Sequence, residues 1–146
     1  MKFLLPLIAL VSAAAASAAP NDVTLNNAVF VEHVRVDAQG RRTVALDPPQ
    51  VVTPGDHLVF VLTYRNGGAQ PATSFAVTNP IPPAVAFERS DDANAVVSVD
   101  GGRTWGALAA LRAGHRAATA KDVTHVRWRV ASPAPEGRIA YSAIVR

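Results

Sequence analysis

The stretch that decides the fold runs from Val52 to Asn66 and reads VTPGDHLVFVLTYRN. Pro54 and Gly55, followed by Asp56, occupy the central positions of a type II turn, where the second residue needs a positive φ. Side chains then alternate: Leu58, Phe60, Leu62 and Tyr64 share one face, and His57, Val59, Val61 and Thr63 share the other. A period of two predicts a β-strand with one face in a core.

The rest of the chain follows the same pattern. Residues 19–146 contain 19 Val against 6 Leu and 3 Ile, a ratio that favours strands over helices. Short apolar runs between turn residues predict strands over residues 28–36, 43–46, 57–65, 74–78, 85–87, 96–99, 123–130 and 138–146. Residues 106–121 are predicted to form an irregular connection. The expected fold is an all-β, immunoglobulin-like antiparallel β-sandwich of seven to nine strands over residues 50–146, with residues 19–49 as a strand pair or extension docked on it.

Two neighbouring stretches, VTPGDHLVFVLTYRNGG and PATSFAVTNPIPPAVAF, resemble the domain of unknown function eleven family, a surface repeat of bacteria and archaea. The closing stretch VRWRVASPAPEGRIAYSAIVR is similar to the last hairpin of that family. The resemblance covers residues 50–146 in a single copy, and it implies an immunoglobulin-like sandwich on an exported protein without catalytic residues. The positions that carry it are Pro54, Gly55, Asp56, Tyr64, Asn66, Gly68, Pro71, Asn79, Pro80 and Pro82.

Residues 1–18 have the three parts of a secretory signal peptide. Lys2 supplies the positive charge, an apolar stretch follows from Phe3 to Ala16, and Ala16-Ser17-Ala18 is a cleavage site of small residues. The apolar stretch is shorter than the roughly 20 residues that span a bilayer. We therefore expect an exported protein, periplasmic or extracellular, with no transmembrane segment in the mature chain.

The charge and the cysteine content exclude several functional classes. Residues 19–146 carry 13 basic residues against 11 acidic residues, a net charge of +2, and the basic residues are scattered. A nucleic-acid binder would concentrate them on one surface, so no nucleic-acid partner is expected. The chain has no Cys, which excludes thiolate nucleophiles and thiolate zinc sites. No cofactor is expected.

The segment Ser98 to Trp105, SVDGGRTW, fits the Asp-box pattern Ser-x-Asp-x-Gly-x-Thr-Trp. One interpretation is glycan hydrolysis, because sialidases carry this motif. The other is a self-stabilised hairpin, in which Asp100 accepts turn amides, Gly102 permits positive φ and Trp105 packs under the loop. A propeller needs several blades of roughly 40–50 residues, and this chain is too short for one, so the structural interpretation is favoured.

Other catalytic and metal-binding patterns are weak. His33, His57, His115 and His125 lie in four separate segments without the spacing of a zinc site. Asp91 and Asp92 could ligate calcium, a question that the sequence leaves open. No Gly-x-Ser-x-Gly elbow is present, and no nucleophile–base pair can be assembled from motifs. We therefore expect a protein that is not an enzyme.

Two faces need an explanation. Trp128 lies between Val126 and Val130 on one face of a strand, which predicts a buried ring, whereas His125, Arg127 and Arg129 form a cationic ladder on the other face. That ladder is either a solvated face or a contact for acidic polysaccharide or anionic lipid.

The outward residues Val59 and Val61 need a cover, and a docked hairpin over residues 28–46 or a neighbouring subunit could provide it.

These patterns predict an exported, non-catalytic structural or interaction module of the bacterial cell envelope. One alternative is a fibre subunit that donates its N-terminal strand to the next copy, and another is a carbohydrate-binding accessory domain. The candidate partners are an envelope protein or a polysaccharide, and the expected state is a monomer or a strand-exchanged oligomer.

Overall fold

The computed structural model describes residues 22–131 and 134–146, so the predicted signal peptide lies outside the described residues. Two three-residue 3₁₀ helices, Leu108–Ala110 and Ala120–Asp122, are its helical elements, and neither could cross a membrane. The strands are β1 (Val23–Val36), β2 (Arg42–Asp47), β3 (His57–Asn66), β4 (Phe75–Pro80), β5 (Val85–Arg89), β6 (Ala95–Ser98), β7 (Arg112–Ala113), β8 (Arg116–Ala117), β9 (His125–Val130) and β10 (Glu136–Val145).

The strands form two main antiparallel sheets. One has the order β2-β1-β3-β10-β5 and the other the order β4-β9-β6. The predicted all-β antiparallel fold is confirmed. Eight of the ten strands coincide with predicted ones, and the other two form a two-residue ladder inside residues 106–121. The closing strand β10 lies between β3 and β5, in the same sheet as β1.

The core lies between the two sheets and is made by the alternating faces of their central strands. Phe60 of β3 stacks on Tyr141 of β10 with ring centroids 4.7 Å apart, and Trp128 of β9 meets the same tyrosine at 6.1 Å. Trp128, Val126 and Ala143 have no exposed surface. These rings pack within a core of buried aliphatic side chains that includes Leu58, Leu62 and Val97.

The N-terminal segment is part of the larger sheet. The first half of β1 pairs with β3 from Val23 opposite Asn66 to Val31 opposite Leu58, and its second half pairs with β2. β1 therefore lies beside β3 and does not cover it. Val61 is nevertheless buried and Val59 half-buried, since β1 and β10 flank β3 on both sides.

Residues 106–122 connect β6 to β9 through short, hydrogen-bonded turns. Asp122 accepts hydrogen bonds from the amide and the hydroxyl of Thr119, and it forms a two-pronged ion pair with Arg116 at 2.6 and 2.7 Å. The Arg116 contact, followed by the Thr119 hydrogen bonds, holds the pKa of Asp122 well below its usual range. This local network replaces a helix in a stretch whose alanines alone would permit one.

Candidate functional site

The predicted turn before β3 forms as expected and positions the start of that strand. The Asp56 amide donates to the Thr53 carbonyl at 3.0 Å, and Gly55 between them has a φ of 97°. The Asp56 carboxylate accepts from the Thr53 amide at 2.8 Å. Pro54, Gly55 and Asp56 therefore act as a turn unit.

The residues that follow β3 also have structural contacts. The Asn66 side chain donates to the Gln70 carbonyl at 2.7 Å and accepts from the Gly68 amide at 3.0 Å, which shapes the loop after the strand. Tyr64 is buried against the edge of Phe75, with ring centroids 5.2 Å apart. These contacts hold the C-terminal end of β3 in place.

The Pro-rich corner is tied to the core through an amide. The Asn79 side chain donates to the Tyr141 hydroxyl at 3.0 Å and to the Pro80 carbonyl at 3.1 Å. Burial raises the pKa of Tyr141 to about 12, and the hydrogen bond from Asn79 opposes part of that rise. The Pro82 carbonyl accepts from the Val85 amide, which turns the chain into β5.

Trp128 joins the two sheets through a hydroxyl. Its indole N–H donates to Ser90 Oγ at 3.2 Å, and that hydroxyl donates to the Ala140 carbonyl at 2.8 Å. The ring itself has no exposed surface. A buried indole N–H needs such a partner, so the Trp128 side chain is placed as a core residue.

The Asp-box residues come together as a closed hairpin. Asp100 accepts from the hydroxyls of Ser98 and Thr104, at 2.8 and 2.7 Å, and from the amides of Arg103 and Thr104. The Thr104 hydrogen bonds, and then that from Ser98, hold the pKa of Asp100 well below its usual range. Because its carboxylate is stabilised in the ionised form and fully engaged by its own turn, Asp100 is a poor general acid.

Trp105 closes the same hairpin. Its indole N–H donates to the Gly102 carbonyl at 2.9 Å, and Gly102, with a φ of 88°, lies against the ring. The Arg127 guanidinium lies 3.7 Å from the ring centroid, and His125 meets the ring edge-on at 6.3 Å. The half-buried Trp105 therefore has one face taken by a cation of the neighbouring strand.

The histidines do not converge. His57 contacts Glu88 at 3.1 Å, and His125 contacts the Thr124 hydroxyl at 3.0 Å. Within residues 22–131 and 134–146, no three His, Asp or Glu side chains lie close enough together to hold a metal ion. Asp91 contacts Arg89, and the Asp92 carboxylate accepts from the Asn94 amide.

The outer face of the five-stranded sheet carries a groove that the sequence patterns did not reveal. It has a volume of about 460 Å³, and Val59, Ala140 and Ser142 are among its lining residues. Val44 and Leu46 of β2 line one side, and Arg89, Asp91 and Asp92 line the other. The signal that could have found it is the alternation of small or apolar residues on the outward positions of β3 and β10.

The outward apolar residues continue onto the β1–β2 hairpin. Val34 lies opposite Val44, and Glu32 lies opposite Leu46. Val34 is 50% exposed, Val44 62% and Leu46 42%. We call these three residues the hairpin face. They lie where β1 and β2 extend past the first residue of β3, because Val31 is the last residue of β1 that pairs with it.

The sequence-predicted residues thus form separate structural clusters rather than one reaction centre. The groove and the hairpin face lie on one outer side of the sandwich, and the Asp-box hairpin with Arg127 lies on the other sheet. No protein-family model, curated protein or solved structure matches the chain.

Proposed function

We propose that this chain is an exported, non-catalytic interaction module of the bacterial cell envelope, and that it binds a protein partner through the hairpin face. The observation that carries the proposal is the exposure of Val34, Val44 and Leu46 side by side on paired strands. Single exposed apolar residues are ordinary on a protein surface, whereas a contiguous cluster beside a groove is typical of an interaction site.

Export is supported by the signal-peptide pattern of residues 1–18 and by the resemblance to a surface-repeat family. Mass spectrometry of the protein from periplasm and medium tests this. A mature chain that begins at Ala19 is the expected result, and an uncleaved cytoplasmic chain contradicts export.

The interaction is tested by photo-crosslinking in the producing cell. A photoreactive residue at position 44 should give one discrete adduct, identified by mass spectrometry as a specific envelope protein. The matched control is position 43, since Thr43 is exposed on the same strand and faces the opposite side. Equal adduct patterns from both positions, or none from position 44, contradict the proposal, and an adduct with a second copy assigns the face to self-association.

The absence of catalysis is the second part of the proposal. Asp100 is held by its own turn, and no motif supplies a nucleophile with a base beside it. The purified protein should not hydrolyse sialosides, esters or peptides. Turnover that Asp100→Ala abolishes, in a variant shown to remain folded, would falsify this part.

Strand donation is the alternative that the pairing of β1 addresses. Nine residues of β1, Val23 to Val31, pair with β3 of the same chain, which supports a self-contained domain over a donor strand. A fibre subunit would instead form concentration-dependent polymers, and light scattering during size-exclusion chromatography distinguishes the two.

A further inference from the structure

The cationic ladder lies on the outer face of the three-stranded sheet, opposite the layer that carries the hairpin face. His125, Arg127 and Arg129 alternate along β9 with the buried Val126 and Trp128. Residues two apart on a strand are separated by about 7 Å, so Arg127 and Arg129 leave the same face of β9 at about that spacing. Arg129 is exposed and Arg127 half-buried.

The neighbours of the ladder leave its charge uncompensated. Arg127 lies between Thr78 of β4 and Val96 of β6, Arg129 lies beside Ala76, and His125 lies between Pro80 and Ser98. All of these cross-strand positions are neutral. Within the described part of the chain, neither arginine forms an ion pair, whereas Arg35, Arg41, Arg65, Arg89 and Arg116 each do.

Arg127 is also held in place. Its guanidinium lies over the Trp105 ring at 3.7 Å, and its Nε donates to the Thr78 hydroxyl at 2.9 Å. Its two terminal nitrogens have no hydrogen-bond partner among the described residues, so one edge of the guanidinium remains available. An oriented, planar guanidinium binds a carboxylate with two parallel hydrogen bonds and loses little side-chain entropy in doing so.

From this arrangement we propose that the ladder is a binding surface for a linear acidic polysaccharide, with Arg127 and Arg129 each contacting a carboxylate of the polymer. The proposal goes beyond the protein contact at the hairpin face and uses the other side of the sandwich, so either can fail alone. Trp105 takes part by orienting Arg127, since the guanidinium covers one face of its ring.

The surroundings favour a polysaccharide over an anionic membrane. Peripheral membrane contacts combine basic residues with large apolar side chains that enter the headgroup region. The cross-strand neighbours of the ladder, Ala76, Thr78 and Val96, are short, and Trp105 is engaged with Gly102 and Arg127. The surface therefore offers charge and hydrogen-bond donors without a side chain that inserts.

Binding of the purified protein to polygalacturonate tests the proposal, with pullulan as the neutral polymer. We expect binding to polygalacturonate alone at about 50 mM salt, and its loss near 0.5 M, because exposed charge contacts are screened. Arg129→Gln should raise Kd about tenfold, the effect of losing one charge-assisted hydrogen-bonded contact. Arg127→Lys keeps the charge and should also weaken binding, because it loses the planar contact with Trp105.

Arg42→Gln is the matched control, since Arg42 is an exposed arginine at the start of β2, on the other sheet, with the same loss of charge. It should change Kd by less than about twofold. Equal losses from Arg42→Gln and Arg129→Gln, or no binding to polygalacturonate at low salt, overturn the proposal. Binding to phosphatidylglycerol vesicles without binding to polygalacturonate also overturns it and assigns the ladder to membranes.

Discussion

Trp128 and Trp105 occupy environments that predict different costs of truncation. Trp128 is fully buried and joins the sheets through Ser90, so Trp128→Ala should lower the free energy of unfolding by about 3–5 kcal/mol. Trp105 is half-buried on a turn, and Trp105→Ala should cost clearly less. Thermal and urea unfolding measure both, with Trp128→Phe as the variant that still folds if the alanine variant does not. Equal losses at the two positions contradict this assignment.

The lowered pKa of Asp100 predicts that the stability of the fold depends on pH. Its hydrogen bonds with Thr104 and Ser98 lower its folded-state pKa from an ordinary value of 3.8. A carboxyl group with a lowered pKa stabilises the fold above its unfolded pKa, and that stabilisation is lost as the pH falls toward the folded value. The melting temperature should therefore decrease as the pH is lowered below about 4. Asp122, which has a shift of the same sign, adds to the fall.

The variant Asp100→Asn separates the two carboxyl groups. It should be less stable than the parent at pH 7 and should show a shallower fall between about pH 4 and pH 2, with Asp122 still contributing. Circular dichroism during heating at a series of pH values measures this. An unchanged stability at pH 7 together with an unchanged acid slope would remove Asp100 from the account of hairpin stability.

At the scale of elements, the pairing of β3 with β10 depends on a glycine. Gly137 lies opposite Tyr64 in the ladder, and a Cβ at this position would overlap the Tyr64 ring. Gly137→Ala should displace that ring from Phe75 and destabilise the protein by about 1–3 kcal/mol, the usual cost of overpacking. Gly106→Ala is the control, since its Cβ would meet Leu111 at an ordinary 3.6 Å. Similar stabilities of the two variants contradict a packing role for Gly137.

For the whole molecule, the sequence predicted what depends on local alternation and could not predict what depends on distant pairing. Leu58, Phe60 and Leu62 mark β3 because every second residue must enter the core. The start of β1 at Val23 was missed, since the polar Asn26 and Asn27 conceal a strand that exists through its pairing with β3. The position of β10 between β3 and β5, and the groove on the outer face of that sheet, follow from contacts between distant segments.

The Asp-box hairpin illustrates the same limit at the candidate site. The motif indicated that Asp100 would accept turn amides and that Trp105 would pack on the loop, and both contacts lie within eight residues of chain. The stacking of Arg127 on Trp105 joins two strands separated in sequence, so it became visible only with the register of β9. The predicted turn chemistry was therefore accessible from the sequence, whereas the oriented cation on it was not.

The same topology predicts that the molecule is not uniformly stable. Residues 32–36 of β1 pair with β2 alone, their side chains are largely exposed, and an isolated two-stranded hairpin is marginal in water. In hydrogen exchange followed by NMR, the amides that bond β1 to β2 should exchange at least about tenfold faster than the ladder amides between β3 and β10, because local opening of the hairpin exposes little core. Raising the protein concentration should leave both rates unchanged if the chain is a monomer. Protection of the hairpin equal to that of β3 at every concentration contradicts local opening, and protection that rises with concentration identifies a second copy seated on the hairpin face.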